Sequence, residues 1–159
     1  MKKALLFLFI FILFNENSFA AGSSGNDTQS KYDKAVKLIK SAKKHESKGK
    51  KNKANSNYEK ALKLLIKSNQ DKPKNADTLN YLGFTSRKLG DYETAEKFYL
   101  EGLELKPNHQ GINEYLGELY VVTKRHNLAV ERLEVLKSCN CKEYDELKAV
   151  IAGEKVSKY

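Results

Sequence analysis

Three stretches of this chain repeat one another at a spacing of 34 residues, and that period constrains the fold more than any other feature. Pro73, Pro107 and Cys141 stand 34 apart, each at a polar break. Between the breaks, LNYLG (Leu79 to Gly83) is matched by NEYLG (Asn113 to Gly117), and Ala95 by Ala129. Self-similarity at such a period marks stacked repeat architectures. Nearly everything after Ser30 has helical periodicity, so each repeat reads as two helices joined by a turn. Aligned on the period, helices are expected over 76–88 and 92–105 around Leu89-Gly90-Asp91, and again over 110–122 and 127–138. Upstream, Gly49-Lys50 takes the role of Gly90-Asp91. This sets a first pair within 31–72 whose second helix, over 51–70, carries seven extra residues. Seven residues are almost two helical turns and displace a buried face by only ~20°.

Glycine inside a helix costs ~1 kcal/mol against alanine, so its placement needs a reason. Across the three repeats the aligned triplets are Ala42/Ala54/Ala61, Gly83/Ala95/Gly102 and Gly117/Ala129/Leu136, and eight of these nine residues are Ala or Gly. Small residues in register let two antiparallel helices approach closely. Leu38, Leu79, Leu82, Leu116, Tyr58 and Tyr99 are placed to fill the space around them. After Cys141, Tyr144, Leu147, Val150 and Ile151 recur at helical spacing, which predicts a helix over 142–152. A stack of repeats needs such an end element with a polar outer face. The expected fold is all-α: a solenoid of about three antiparallel helix pairs (31–72, 76–105, 110–138) with a C-terminal capping helix.

The pattern resembles the tetratricopeptide repeat, a 34-residue helix–turn–helix. Over 76–109 the residues at motif positions are Leu79, Leu82, Gly83, Gly90, Tyr92, Ala95, Tyr99, Leu105 and Pro107. In 110–141, Gly117, Tyr120 and Ala129 fit while Asn113, Lys124 and Leu136 depart, and 35–75 fits once the insertion is allowed. The resemblance implies a protein-binding module without cofactor, whose first helices line a concave groove for a peptide or helix. It places Ile39 and Lys43, then Asp77, Asn80, Phe84, Arg87 and Lys88, then Glu114, Glu118 and Val121 on that groove. The core of the implied site is Asn80, Phe84, Arg87, Lys88, Glu114 and Glu118, with Phe84 an exposed aromatic flanked by Asn80 and Arg87. One device of the family clamps a partner's terminal carboxylate with Lys and Asn side chains. Its positions here hold Ile39, Lys43, Tyr81, Gly111 and Tyr115, of which only Lys43 suits that task.

The first twenty residues read as a secretory leader: Lys2 and Lys3, an apolar run from Ala4 to Phe14, then Ser18-Phe19-Ala20 at the cleavage position. Eleven apolar residues are too few for a bilayer span, which takes ~20. The expectation is a bacterial protein that is periplasmic or secreted after cleavage near Ala20, with 21–30 a flexible leader. Formal net charge is +9, and it is local: residues 31–53 hold ten lysines against Asp33 and Glu46. In 34–44, Ala35, Leu38, Ile39 and Ala42 make one stripe and lysines fill the rest. The Lys34–Lys53 segment reads as a solvated outer face, or as a surface for anionic lipid or an acidic partner. With three arginines in the whole chain there is little for reading bases, and no nucleic-acid role is expected.

Enzyme signals are nearly absent. His45, His109 and His126 lie in separate segments, and no phosphate loop, nucleophile elbow or Cys-x-x-Cys is present. No catalytic residue or metal ligand set is assigned. Cys139 and Cys141, the only cysteines, sit at the turn before the cap, where an exported chain would bridge them. The competing function is thiol-redox or soft-metal handling at that pair, since thiolates suit Cu(I).

Overall fold

A computed structural model describes residues 24–155 and 157. The leader segment and its cleavage point lie outside the described residues. These fold into seven helices without a strand: α1 (Ser24–Glu46), α2 (Lys51–Asp71), α3 (Ala76–Lys88), α4 (Tyr92–Leu105), α5 (Gln110–Val122), α6 (His126–Leu136) and α7 (Lys142–Ile151). Boundaries of α3, α4 and α5 fall where the repeat places them. The others differ: α1 begins at Ser24, inside the 21–30 stretch read as flexible, α6 spans 126–136 rather than 127–138, and the ends of α2 and α7 shift by one residue each. At 21 residues against 14, α2 exceeds α4 by the seven-residue insertion.

Each pair closes through the same backbone device. In the turns after α1, α3 and α5, one residue takes a left-handed conformation: Gly49 (φ +69), Gly90 (φ +87) and Lys124 (φ +61). The next N–H then donates to a carbonyl five residues back: Lys50 to His45, Asp91 to Ser86, Arg125 to Tyr120. This satisfies helix-end carbonyls that would otherwise lack partners. Glycine adopts that conformation without penalty and lysine does not. The starts of α3, α4 and α5 are capped by side chains: Asn75 accepts from the Thr78 amide, Asp91 from Thr94, and His109 Nδ1 from Ile112.

Packing follows the chain: α1 lies on α2, α3 on α4, α5 on α6, and each pair meets the next, with α7 closing against α5 and α6. One apolar cluster joins Ala35, Ile39 and Ala42 of α1 to Tyr58, Ala61 and Leu65 of α2 and to Leu79, Leu82 and Phe84 of α3. A second joins α4, α5 and α6 through Tyr99, Leu103, Ile112, Leu116 and Ala129.

The helical glycines divide their work in a way the alignment does not show. A Cβ on Gly83 would sit 2.4 Å from the Tyr99 ring, so its bareness lets α3 and α4 close as a pair. A Cβ on Gly102 would lie 2.5 Å from Ile112 Cδ1, and one on Gly117 2.5 Å from Leu147 Cδ2. Those two glycines admit side chains of the following unit. The small residues therefore serve the stacking of units as well as closure within a pair. Leu147 and Val150 of the cap are buried, while Tyr144 and Ile151 are only partly covered.

Two stability outcomes follow from these contacts. Gly83→Ala forces the Tyr99 ring off the α3 backbone and should cost ~1–3 kcal/mol in denaturant unfolding. An unchanged midpoint would contradict this packing. Lys124→Gly relieves the only lysine among the three turn positions and should add ~0.5–1 kcal/mol, seen as a raised Tm.

Candidate functional site: a polar groove across the first helices

The first helix of every pair and the cap share one concave side. Between α1, α3, α5 and α7 lies a groove of about 1020 Å³. Its floor is aromatic. The Phe84 ring stands edge-on to Tyr58 at 6.0 Å and tilted against Tyr115 at 5.2 Å, with Lys43 Nζ 4.4 Å above it. Tyr81 and Tyr115 flank it, and burial raises the pKa of both phenols.

Phe84 is therefore not the exposed aromatic that the repeat position implies. It is 1% exposed and belongs to the core. Tyr58 of the preceding pair and Tyr115 of the following one cover it, and neither is visible in local periodicity. Arg87 is likewise not a groove side chain. It is 2% exposed, with Nη1 donating to the Tyr115 carbonyl (2.7 Å) and Nη2 to Glu118 Oε2 (3.3 Å), which ties α3 to α5 beneath the groove. Ile39, at 2% exposure, is core too, and Val121 packs against the second cluster.

The remaining expected residues do meet in the groove. Lys88 is largely covered and paired with Glu46. Glu118 lies against Arg87 and accepts from the Ser157 hydroxyl at 3.4 Å. Asp77 Oδ1 meets His109 Nε2 at 3.0 Å. Because His109 Nδ1 accepts the Ile112 amide, Nε2 carries the proton that reaches Asp77. Asn80 is nine-tenths buried, its amide nitrogen packed on Gly111, and its Oδ1 has no hydrogen-bond partner among the described residues. Lys43, Asn80, Glu114 and Glu118 thus share one cavity. The sequence reading missed the cap's part in it: Lys142, Glu143 and Glu146 of α7 form the far wall. Their signal was Glu143 and Glu146, three residues apart on one face of α7, which periodicity marks only as polar.

Six carboxylates and four lysines line the groove, so it leans acidic in a basic chain. Burial, and then the neighbouring Glu118 and Glu143, push the Glu114 carboxyl up to about 7. Away from the groove, Lys34, Lys37, Lys40 and Lys44 of α1 stand outward beside the buried Ala35, Ile39 and Ala42 stripe, a solvated outer face, while Lys31 pairs with Asp71 of α2. Cys139 and Cys141 are joined in a disulfide at the turn into α7. Among the described residues no three metal-ligating side chains come together, and no helix is long and apolar enough to cross a membrane.

Glu114 provides a pH test. Its folded-state pKa lies above the 4.5 of an ordinary glutamate, so the folded form binds the proton more tightly than the unfolded chain does. Its contribution to stability is complete below that value and is lost as pH rises through about 7. Glu114→Gln should leave stability unchanged in acid and raise it by ~1–3 kcal/mol above neutrality. Parallel pH profiles of the two proteins would show that Glu114 is not in this environment.

A search by sequence against curated proteins found no match. The model of the tetratricopeptide repeat matches residues 76–109, the unit formed by α3, α4 and the turn to α5. Among solved structures, the chain is similar to the first TPR of Spaghetti (RPAP3) bound to HSP90 peptide SRMEEVD. The identity there is 20%, with 79% of this chain and 96% of that chain covered and a TM-score of 0.54. It is also similar to the CopN-Scc3 complex, at 17% identity and a TM-score of 0.53, with 88% of this chain and 79% of that chain covered. Likeness at this level of identity speaks for the fold. Residues 76–109 are thus a tetratricopeptide repeat, set in a stack of helix pairs whose fold is that of the two solved structures.

Proposed function

We propose that this chain is a non-enzymatic binding module or scaffold of the bacterial cell envelope, holding a peptide or helix of a partner protein in the groove across α1, α3, α5 and α7. The observation that carries the reading is the groove itself. It is open, too large for one side chain, and lined by polar groups of four separate helices. A cavity that only completed the core would be apolar and closed. The Spaghetti structure contains a bound peptide and the CopN-Scc3 structure is a complex, which supports partner binding by analogy of fold. The carboxylate clamp is not the mode proposed, because the clamp positions hold Ile39, Tyr81, Gly111 and Tyr115 beside Lys43. The leader pattern of Met1 to Ala20 and the Cys139–Cys141 bridge both favour an exported protein.

The experiment is affinity capture from envelope extracts with the intact mature chain, repeated with Asn80→Ala/Glu114→Ala. The variant should keep the wild-type helical spectrum and lose the captured partner by about tenfold or more, the loss expected when one polar hot spot is removed. Equal capture by a folded variant would place binding elsewhere. The thiol reading is separated with one more variant: Cys139→Ser/Cys141→Ser should retain the partner if the chain is a binding module, whereas a thiol role predicts loss of a thiol-dependent activity.

A further inference from the structure

We propose that the α5–α7 end of the groove receives a cationic side chain, so that the segment bound there is a lysine- or arginine-bearing stretch of a partner protein. This deepens the interaction reading above and rests on it. The first observation is how the carboxylates are committed. Glu46 is paired with Lys88, Asp77 with His109, Glu118 with Arg87 and Glu146 with Lys155. Glu114 on α5 and Glu143 on α7 face the groove without a hydrogen bond or ion pair among the described residues. After burial and Glu118, the nearby Glu143 opposes ionisation of Glu114, and the exposed Lys142 and the buried Arg87 offset this only in part.

The second observation is independent of charge. Asn80 lines the same groove, is 9% exposed, and keeps an unpartnered carbonyl oxygen. A buried acceptor without a donor costs free energy that a bound donor would recover. Two carboxylates and an amide oxygen form a set that only accepts. Ammonium and guanidinium groups, and the N–H groups of a peptide backbone, only donate. A cation over Glu114 and Glu143 would also remove the repulsion between them. An acidic segment would instead add like charge to a partly dehydrated site.

Amide NMR of the folded chain, titrated at low ionic strength and at a pH above the Glu114 transition, tests this with two capped peptides. They are acetyl-Ala-Arg-Ala-Lys-Ala-amide and its acidic counterpart acetyl-Ala-Glu-Ala-Glu-Ala-amide. The basic peptide should give saturable shifts centred on Asn80, Glu114 and Glu143, and the acidic one none. Glu114→Gln/Glu143→Gln should weaken the basic peptide about tenfold or more. Glu143→Gln alone, on the cap helix, should weaken it in the same direction and guards against a folding defect in the double variant. Absence of saturable shifts, or unchanged affinity in the folded double variant, overturns the proposal. Shifts from the acidic peptide alone overturn it while leaving the groove as a binding site. Shifts at the same residues that grow with protein concentration before any peptide is added also overturn it, assigning the site to the lysine-rich α1 of a second copy.

Discussion

Everything in this structure depends on how closely bare helix backbone is approached by a neighbouring side chain. The Tyr99 ring rests on Gly83, Ile112 on Gly102, and Leu147 on Gly117. The first contact sets the distance within a pair; the other two set the distance between units. Dispersion falls off steeply with separation, so a shift of one methyl group at such a seam removes contacts along the whole helix. The geometry of the groove is a by-product. Once units stack at these distances, their first helices present one continuous side.

That side is held from beneath by Arg87. A guanidinium removed from water is stable only if its donors and its charge are met. Here the Tyr115 carbonyl and the Glu118 carboxylate of the next unit accept from its two terminal nitrogens, and the carboxylate offsets its charge. The pair therefore specifies the register of α3 against α5 more than it adds stability. It also consumes two charged residues that would otherwise have faced a ligand. What remains exposed to a partner is the chemistry that no internal partner neutralises.

The parts of the fold legible in the sequence were those written in local signals. Gly90, Asp91, Asn75 and Pro107 punctuate the helices within a residue or two of themselves, and the boundaries of α3 to α5 match them. The end of α6 is less well marked, because no such residue follows Leu136 before the Cys139–Cys141 bridge. Phe84 and Arg87 were misplaced for a different reason. Their motif positions imply exposure, but Tyr58, Tyr115 and Glu118, tens of residues away in the chain, cover them. Long-range partners leave no trace in a 34-residue period. The groove could be outlined from the sequence as far as Glu114 and Glu118. Its far wall could not, since the cap helix obeys no repeat.

The cap is also where folding and occupancy become one equilibrium. In a quasi-one-dimensional stack each unit is stabilised by its neighbours, and the last one opens most readily. Among the described helices α7 touches α5 and α6 alone, yet it supplies Glu143 to the groove. Whatever bridges α5 and α7 must then shift the end-fraying equilibrium by mass action, by RT ln(1 + [L]/Kd). For a segment held as proposed, hydrogen-exchange protection of the α7 amides would be a meter of saturation, and the terminal helix the latch through which that segment reports its presence.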